Sequence, residues 1–150
     1  MPASTPLSSH ELDAWRGMLE VHASVTQQLD AQMHAEHGLS VSAYEVLMFL
    51  ADAPEHRMRM SDIADRVLLS RSGCTRLVDR LVVLGFVSRC AASTDGRGLF
   101  AQLTEAGREK VAAARVTHLD GVRRYFLGHL TATDQIALAD IWSRFAATRG

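Results

Sequence analysis

The polar side chains with the clearest chemical purpose lie in one short segment between Ser70 and Gly85. Ser70 carries a hydroxyl suited to cap a helix, and Gly85 is the residue type that commonly ends one. At helical spacing, one face between them is apolar and the other is polar. The polar face carries Arg71, Ser72, Thr75, Arg76, Asp79 and Arg80. Arginine and hydroxyl side chains hydrogen-bond base edges and phosphates, so this face suits the major groove of DNA.

The flanking sequence predicts a helix-turn-helix followed by a β-wing. A short helix with Ser61 as its cap precedes the polar segment. After it, the spacing of apolar residues changes from helical to alternating, which predicts strands at 86–91 and 99–103. Between these strands, residues 93–98 read S-T-D-G-R-G, a composition typical of a turn.

Long amphipathic helices are predicted at both ends of the chain. The first opens with a capping box at Ser8 and stops at Gly38. The fifth begins after Thr104 and extends to about His129, and the sixth opens at Thr131. Their apolar faces exceed what a winged-helix module of about 60 residues could cover, so we expect them to pair with a second copy of the chain. The alternative is a monomer whose terminal helices fold back on the wing domain.

Together these elements predict a mainly α-helical protein with a small antiparallel β-wing. A second capping box at Ser42 opens the helix before the helix-turn-helix. We expect one domain over residues 1–150. Within it, residues 42–104 would form a winged helix-turn-helix lobe, and residues 8–37 and 105–148 would supply dimerisation helices.

Composition and charge fit a globular protein with a local surface for anions. The 150 residues are 47% hydrophobic, enough for one sizeable core. We find neither a membrane-length apolar run nor a signal peptide, and therefore expect a cytoplasmic protein without membrane contact. The whole chain carries −1, but residues 57–97 hold eight arginines and four aspartates, so this segment is +4 and the remainder −5. A basic centre in an acidic frame indicates a local anion-binding surface.

Histidines and cysteines suggest other chemistries less strongly. His34 and His37 have the spacing of a metal-ligand pair, but surface histidines near a helix end are the simpler interpretation. Cys74 falls on the apolar face of the fourth helix and Cys90 in the first wing strand, so we expect inert thiols. No nucleotide-binding glycine pattern and no G-x-S-x-G motif occurs. We expect no cofactor, no metal and no catalytic residue.

Several motifs resemble those of the MarR family of bacterial transcription regulators. The segment from Asp95 to Thr104 matches the family pattern D-x-R-x(5)-L-T, and Glu-Ala-Gly follows it as in the family. The T-R-L-V-D-R-L run that begins at Thr75 and the Gly-Phe-Val turn that begins at Gly85 also match. The resemblance covers almost the whole chain and implies a dimer that binds pseudo-palindromic promoter DNA. It further implies a repressor that a small aromatic or anionic effector releases.

The resemblance also implies residue roles at the DNA. Arg97 would enter the minor groove from the wing tip, and Asp95 would hold an arginine there in place. On the recognition helix, Ser72, Thr75 and Arg76 would meet base edges. The phosphate contacts would come from Arg71 and Arg80. The alternatives are that Arg80 forms only a surface pair with Asp79 and that Arg97 is a turn residue without a contact.

An effector site is expected where Trp15, His22 and Tyr44 could meet, because an indole, an imidazole and a phenol suit a planar organic acid. Core packing is the alternative for these residues. Two further hypotheses remain: a winged-helix protein that binds DNA without an effector or serves as a protein-binding module, and an accessory domain of an enzyme. We disfavour the accessory domain of an enzyme because no nucleotide-binding domain accompanies the winged helix within these 150 residues.

Overall fold

The computed structural model describes residues 4–67, 69–91 and 98–149. In these ranges the α-helices and strands follow the order α1 (Ser9–His37), α2 (Val41–Asp52), β1 (Arg57–Arg59), α3 (Met60–Val67), α4 (Arg71–Val83), β2 (Val87–Ala91), β3 (Leu99–Leu103), α5 (Glu105–Tyr125) and α6 (Ala132–Ala146). The expected fold class, mainly α-helical with a small antiparallel sheet, is confirmed. None of the helices in the described ranges is both long and apolar enough to span a membrane.

Reciprocal capping boxes open the two terminal helices as the sequence predicts. The Ser8 backbone N–H donates to Glu11 Oε2 at 2.7 Å, and the Glu11 N–H donates to Ser8 Oγ at 3.3 Å. At α6, Thr131 and Asp134 form the same pair of bonds, at 2.8 and 3.1 Å. These bonds to the carboxylates lower the pKa of both Glu11 and Asp134. Helix α1 ends at Gly38, whose φ of +66° favours glycine.

Two predicted helix starts are wrong. Helix α2 begins before the predicted Ser42 box, because Ser40 Oγ accepts from the Ala43 N–H at 3.0 Å and therefore occupies the cap position. Helix α3 begins at Met60, directly after strand β1, so Ser61 lies inside its first turn. Ser40 and Ser42 both carry a hydroxyl suited to cap a helix, so residue type alone does not distinguish between them.

The described strands form one antiparallel sheet in the order β1-β3-β2. Strand β3 pairs with β2 from Ala91 opposite Leu99 to Val87 opposite Leu103. Its other edge pairs with β1, where Met58 lies opposite Ala101. Strand β1 was not predicted, because three residues are too few to show an alternating pattern.

Residues Asp30–Asp120 form one compact unit, which contains the helix-turn-helix and the sheet. Its core combines α2, α3, α4 and the inner face of the sheet. The largest fully buried side chains are Tyr44, Met33, Leu39, Leu47, Leu50, Ile63, Leu81, Val46, Val78 and Cys74. Because side chains from α2, α3 and α4 share this core, the orientation of α4 is fixed by packing.

Residues Met1–Leu29 and Gly121–Gly150 form the second compact unit. Here α5 ends at Tyr125, short of the predicted His129, and a 3₁₀ turn follows. Large apolar side chains are exposed, among them Trp15, Ile136 and Phe145 at 54%, 73% and 61%. The unit also contains a groove of about 970 Å³ whose lining includes Val21, Phe126, Leu138 and Trp142.

Candidate nucleic-acid interface

Helix α4 is anchored by one face and offers the other to solvent. Cys74, Val78 and Leu81 are buried. Ser70 caps the helix as predicted, because its Oγ accepts from the Gly73 N–H at 3.1 Å. At helical spacing Leu84 is also predicted on the apolar face, but it follows the last residue of α4 and is 45% exposed, so this part of the prediction is wrong. A helix seated in this way holds its polar side chains in a fixed orientation.

The polar face of α4 is open to solvent along its length. Its exposed members are Arg71, Ser72, Thr75, Arg76 and Arg80. The Thr75 hydroxyl donates to the Arg71 carbonyl at 2.9 Å and keeps its oxygen lone pairs available. Within the described ranges, none of the three arginines forms an ion pair. The face therefore offers guanidinium groups that form no ion pair with the described residues, and hydroxyl groups beside them.

Asp79 pairs with Arg89 of β2 and not with Arg80. The Arg89 Nη2 and Asp79 Oδ1 atoms are 2.7 Å apart. Both side chains are partly exposed, so the pair contributes about 1 kcal/mol or less to stability. It links the recognition helix to the first wing strand. The surface pair considered for Arg80 is therefore not formed.

The base of the wing is described, and its tip is not. Strands β2 and β3 remain paired as far as Ala91 and Leu99. Gly98 has a φ of +93°, a conformation that L side chains rarely adopt. The predicted wing residues Asp95 and Arg97 lie outside the described residues, so their roles stay predictions.

Thr104 joins the end of the wing to α5 and to the end of α4. Its hydroxyl donates to the Gly85 carbonyl at 2.6 Å and accepts from the Gly107 N–H at 3.0 Å. A Cβ atom on Gly107 would lie 2.1 Å from the Phe86 carbonyl oxygen, so this position requires glycine. The Leu-Thr-Glu-Ala-Gly run therefore has a structural role, because its threonine and glycine join the start of α5 to the segment that follows α4.

The predicted effector residues fall in different parts of the described structure. Trp15 is 54% exposed, and His22 lines the groove of the terminal unit. Tyr44 belongs to the other unit, where it is buried and its ring centroid lies 4.6 Å from that of His118. Burial raises the pKa of Tyr44 and lowers that of His118. For Tyr44 the structure supplies a packing role, and a ligand role for the three residues remains a prediction.

Of the two histidines near the end of α1, His37 hydrogen-bonds with a threonine of α5. The His37 Nε2 and Thr117 Oγ1 atoms are 2.8 Å apart, and Thr117 donates to Glu36 Oε2 at 2.8 Å. Across the described ranges, no group of three or more His, Cys, Asp or Glu side chains could hold a metal ion. Both cysteines are free, and burial raises the pKa of the Cys74 thiol. This shift disfavours the reactive thiolate.

A helix-turn-helix built from α3 and α4, followed by antiparallel wing strands, defines a winged helix-turn-helix protein. The family model described as "MarR family" matches residues 37–98. Over 97% of this chain, the structure resembles AbsC, a MarR family transcriptional regulator from Streptomyces coelicolor, with 34% identity, a TM-score of 0.90 and 97% of that chain covered. The chain belongs to the MarR family of transcriptional regulators.

Two further relatives show how far the similarity extends. The structure of Sco3205, a MarR family transcriptional regulator from Streptomyces coelicolor in complex with DNA, is 31% identical with a TM-score of 0.90. That match covers 97% of this chain and 94% of the other. The HTH-type transcriptional repressor YetL of Bacillus subtilis is 35% identical over 77 residues, which are 51% of this chain and 46% of YetL. The chain thus aligns with about half the length of this curated relative.

Proposed function

We propose that the chain is a homodimeric DNA-binding repressor that acts in the cytoplasm on pseudo-palindromic promoter DNA. The observation that carries this proposal is the polar face of α4, whose three arginines are exposed and form no ion pair with the described residues, on a helix whose opposite side is buried. Inserted in the major groove, Ser72, Thr75 and Arg76 would contact base edges. Arg71 and Arg80 would contact phosphates, and Arg97 of the wing would reach the adjacent minor groove, where Asp95 would hold it or a neighbouring arginine in place.

The relatives support DNA as the partner. Sco3205, at 31% identity, is described in complex with DNA, and its match includes nearly all of this chain. YetL is named a repressor, as is the transcriptional repressor MprA of Escherichia coli, which is 30% identical over 78 residues. These names support repression as the sign of regulation for this chain.

Dimerisation is supported by the terminal unit. Trp15, Ile136 and Phe145 each leave more than half of their surface in water. Exposed apolar faces of this extent on the first and last helices favour burial against a second copy. We assign residues 8–37 and 105–148 to dimerisation and residues 42–104 to the DNA-binding lobe. A two-fold axis would then place two α4 helices about 34–36 Å apart, one helical turn of DNA.

Release from DNA by a small aromatic or anionic effector completes the proposal. Trp15, His22 and Tyr44 are the candidate contacts. A ligand that binds one conformer of the dimer more tightly shifts the population toward it by its differential affinity. If that conformer has recognition helices at the wrong spacing, the affinity for the operator falls.

Fluorescence anisotropy tests the proposal with a labelled DNA duplex taken from the region upstream of the gene that encodes this chain. We expect specific binding that Arg97→Ala weakens strongly, and release by at least one member of a panel of aromatic acids. Binding without release would keep the DNA-binding role and remove the effector. No binding to any upstream duplex at low ionic strength would remove both.

A further inference from the structure

Strand β1 places two arginines on the outer face of the sheet. In the antiparallel register, Arg57 lies opposite Gln102 and Arg59 opposite Phe100, while Met58 between them is buried. Both guanidinium carbons lie 5.3 Å from the centroid of the Phe100 ring. A guanidinium group that lies over an aromatic ring can still hydrogen-bond through its N–H groups, which point outward in the plane of the group.

Of these two arginines, Arg59 is the one nearer the wing loop. Its partner Phe100 is the second residue of β3, and β3 begins where the wing loop ends. A Cβ atom built on Gly98 would lie 3.7 Å from Arg59 Nη1, so the guanidinium reaches the residue that immediately follows Arg97. Arg59 therefore stands beside the base of the wing, on the side of β3 away from β2.

Charge distinguishes the two arginines as well. Arg57 Nη2 is 2.7 Å from Glu55 Oε2, which neutralises much of its charge. Arg59 has no such partner among the described residues, and its side chain is exposed. Both arginines line a groove of about 490 Å³ together with Phe100 and three carboxylates, those of Asp52, Asp62 and Asp65. Arg59 is therefore distinguished by its exposure and by forming no ion pair with the described residues, and not by the charge of the groove.

We propose that Arg59 is a further DNA-contacting residue, which binds a backbone phosphate beside the minor groove that receives the wing. This inference rests on the proposed function, because it needs a duplex bound by α4 and the wing. The contact is a charge-assisted hydrogen bond from a guanidinium held against Phe100. It extends the DNA footprint outward from β3 to the edge strand β1. A phosphate contact adds affinity for every sequence and no base preference.

The test compares Arg59→Ala with Arg57→Ala. The second variant is the matched control, because Arg57 lies on the same face of β1 and its guanidinium group lies over the same Phe100 ring. Arg59→Lys is a third variant, which keeps the charge and loses the planar group. The affinity of each protein for operator and unrelated duplexes is measured by anisotropy from about 50 to 200 mM salt. Thermal unfolding of each variant checks that the fold is retained.

For Arg59→Ala we expect a salt slope that is smaller by about 0.9 per protomer. For a dimer, the wild type should then lose about tenfold more affinity than the variant over that salt range, equally for all sequences. Arg57→Ala should change the slope less, and Arg59→Lys should keep most of it. A slope of Arg59→Ala equal to that of the wild type would overturn the inference while the proposed function stands. A wild type that binds no duplex would overturn the proposed function first.

Discussion

Replacing Arg76 by alanine should change the discrimination between DNA sequences and leave the stability of the fold almost unchanged. The Arg76 side chain is exposed and forms no ion pair with another described residue, so its loss should change the free energy of unfolding by about 0.5 kcal/mol or less. At the operator, a bidentate arginine contact discriminates its preferred base by about 1–3 kcal/mol. This range corresponds to about 5- to 150-fold in affinity for each half-site.

The assay is competition binding with duplexes that carry each single-base change in one half-site. We expect the wild type to discriminate strongly at the base pair that Arg76 contacts and Arg76→Ala to bind all four bases there with similar affinity. Discrimination at the other positions should persist, because well-separated contacts contribute almost additively.

Arg71→Ala is the matched control, since it removes a guanidinium from the same exposed face at a position assigned to phosphate. It should weaken binding to every duplex by the same factor. If Arg76→Ala behaves in the same way, then Arg76 contacts phosphate and its assignment as a base-reading residue is refuted. A large drop in thermal stability would refute the claim that this face is not part of the packing.

Three further substitutions test the packing and titration of the DNA-binding unit. Thr104→Val removes the hydroxyl that donates to the Gly85 carbonyl and caps α5, so chemical denaturation should show a free energy of unfolding lower by about 1–3 kcal/mol. An unchanged denaturation midpoint would contradict a stabilising role for these two hydrogen bonds. Gly107→Ala places a Cβ 2.1 Å from the Phe86 carbonyl oxygen and should lower stability by about 1–3 kcal/mol or more, and a melting temperature equal to that of the wild type would contradict the close approach. Burial lowers the pKa of His118, so the unfolded chain binds more protons as the pH falls through about 6.5 and the folded protein loses stability there. His118→Gln should therefore lose less stability than the wild type between pH 7.5 and 5 in thermal melts, and parallel curves would exclude this contribution.

The recognition helix could be predicted from the sequence because its signals are local. A capping serine, apolar residues at helical spacing and a terminal glycine all lie within 16 residues, from Ser70 to Gly85. The wing strands could be predicted because the spacing of apolar residues changes from helical to alternating after that glycine. The capping boxes at Ser8 and Thr131 were equally local, since both partners of each box lie three residues apart.

The features that sequence reasoning missed depend on contacts between distant residues. Strand β1 is three residues long and exists through its pairing with β3. The Asp79–Arg89 ion pair joins a helix to a strand, and nothing in the spacing distinguishes it from a pair with Arg80. Likewise, Tyr44 meets His118 across 74 positions of the chain, so its packing role could not be read from either segment alone.

In the proposed complex, two copies of the chain present two α4 helices to one duplex. Sedimentation velocity of the purified chain with a fluorescent operator duplex at low ionic strength tests it directly. We expect a free protein that sediments as a dimer and a complex that contains two chains for each duplex. A monomer in solution, or a saturated complex with one chain for each duplex, would contradict it.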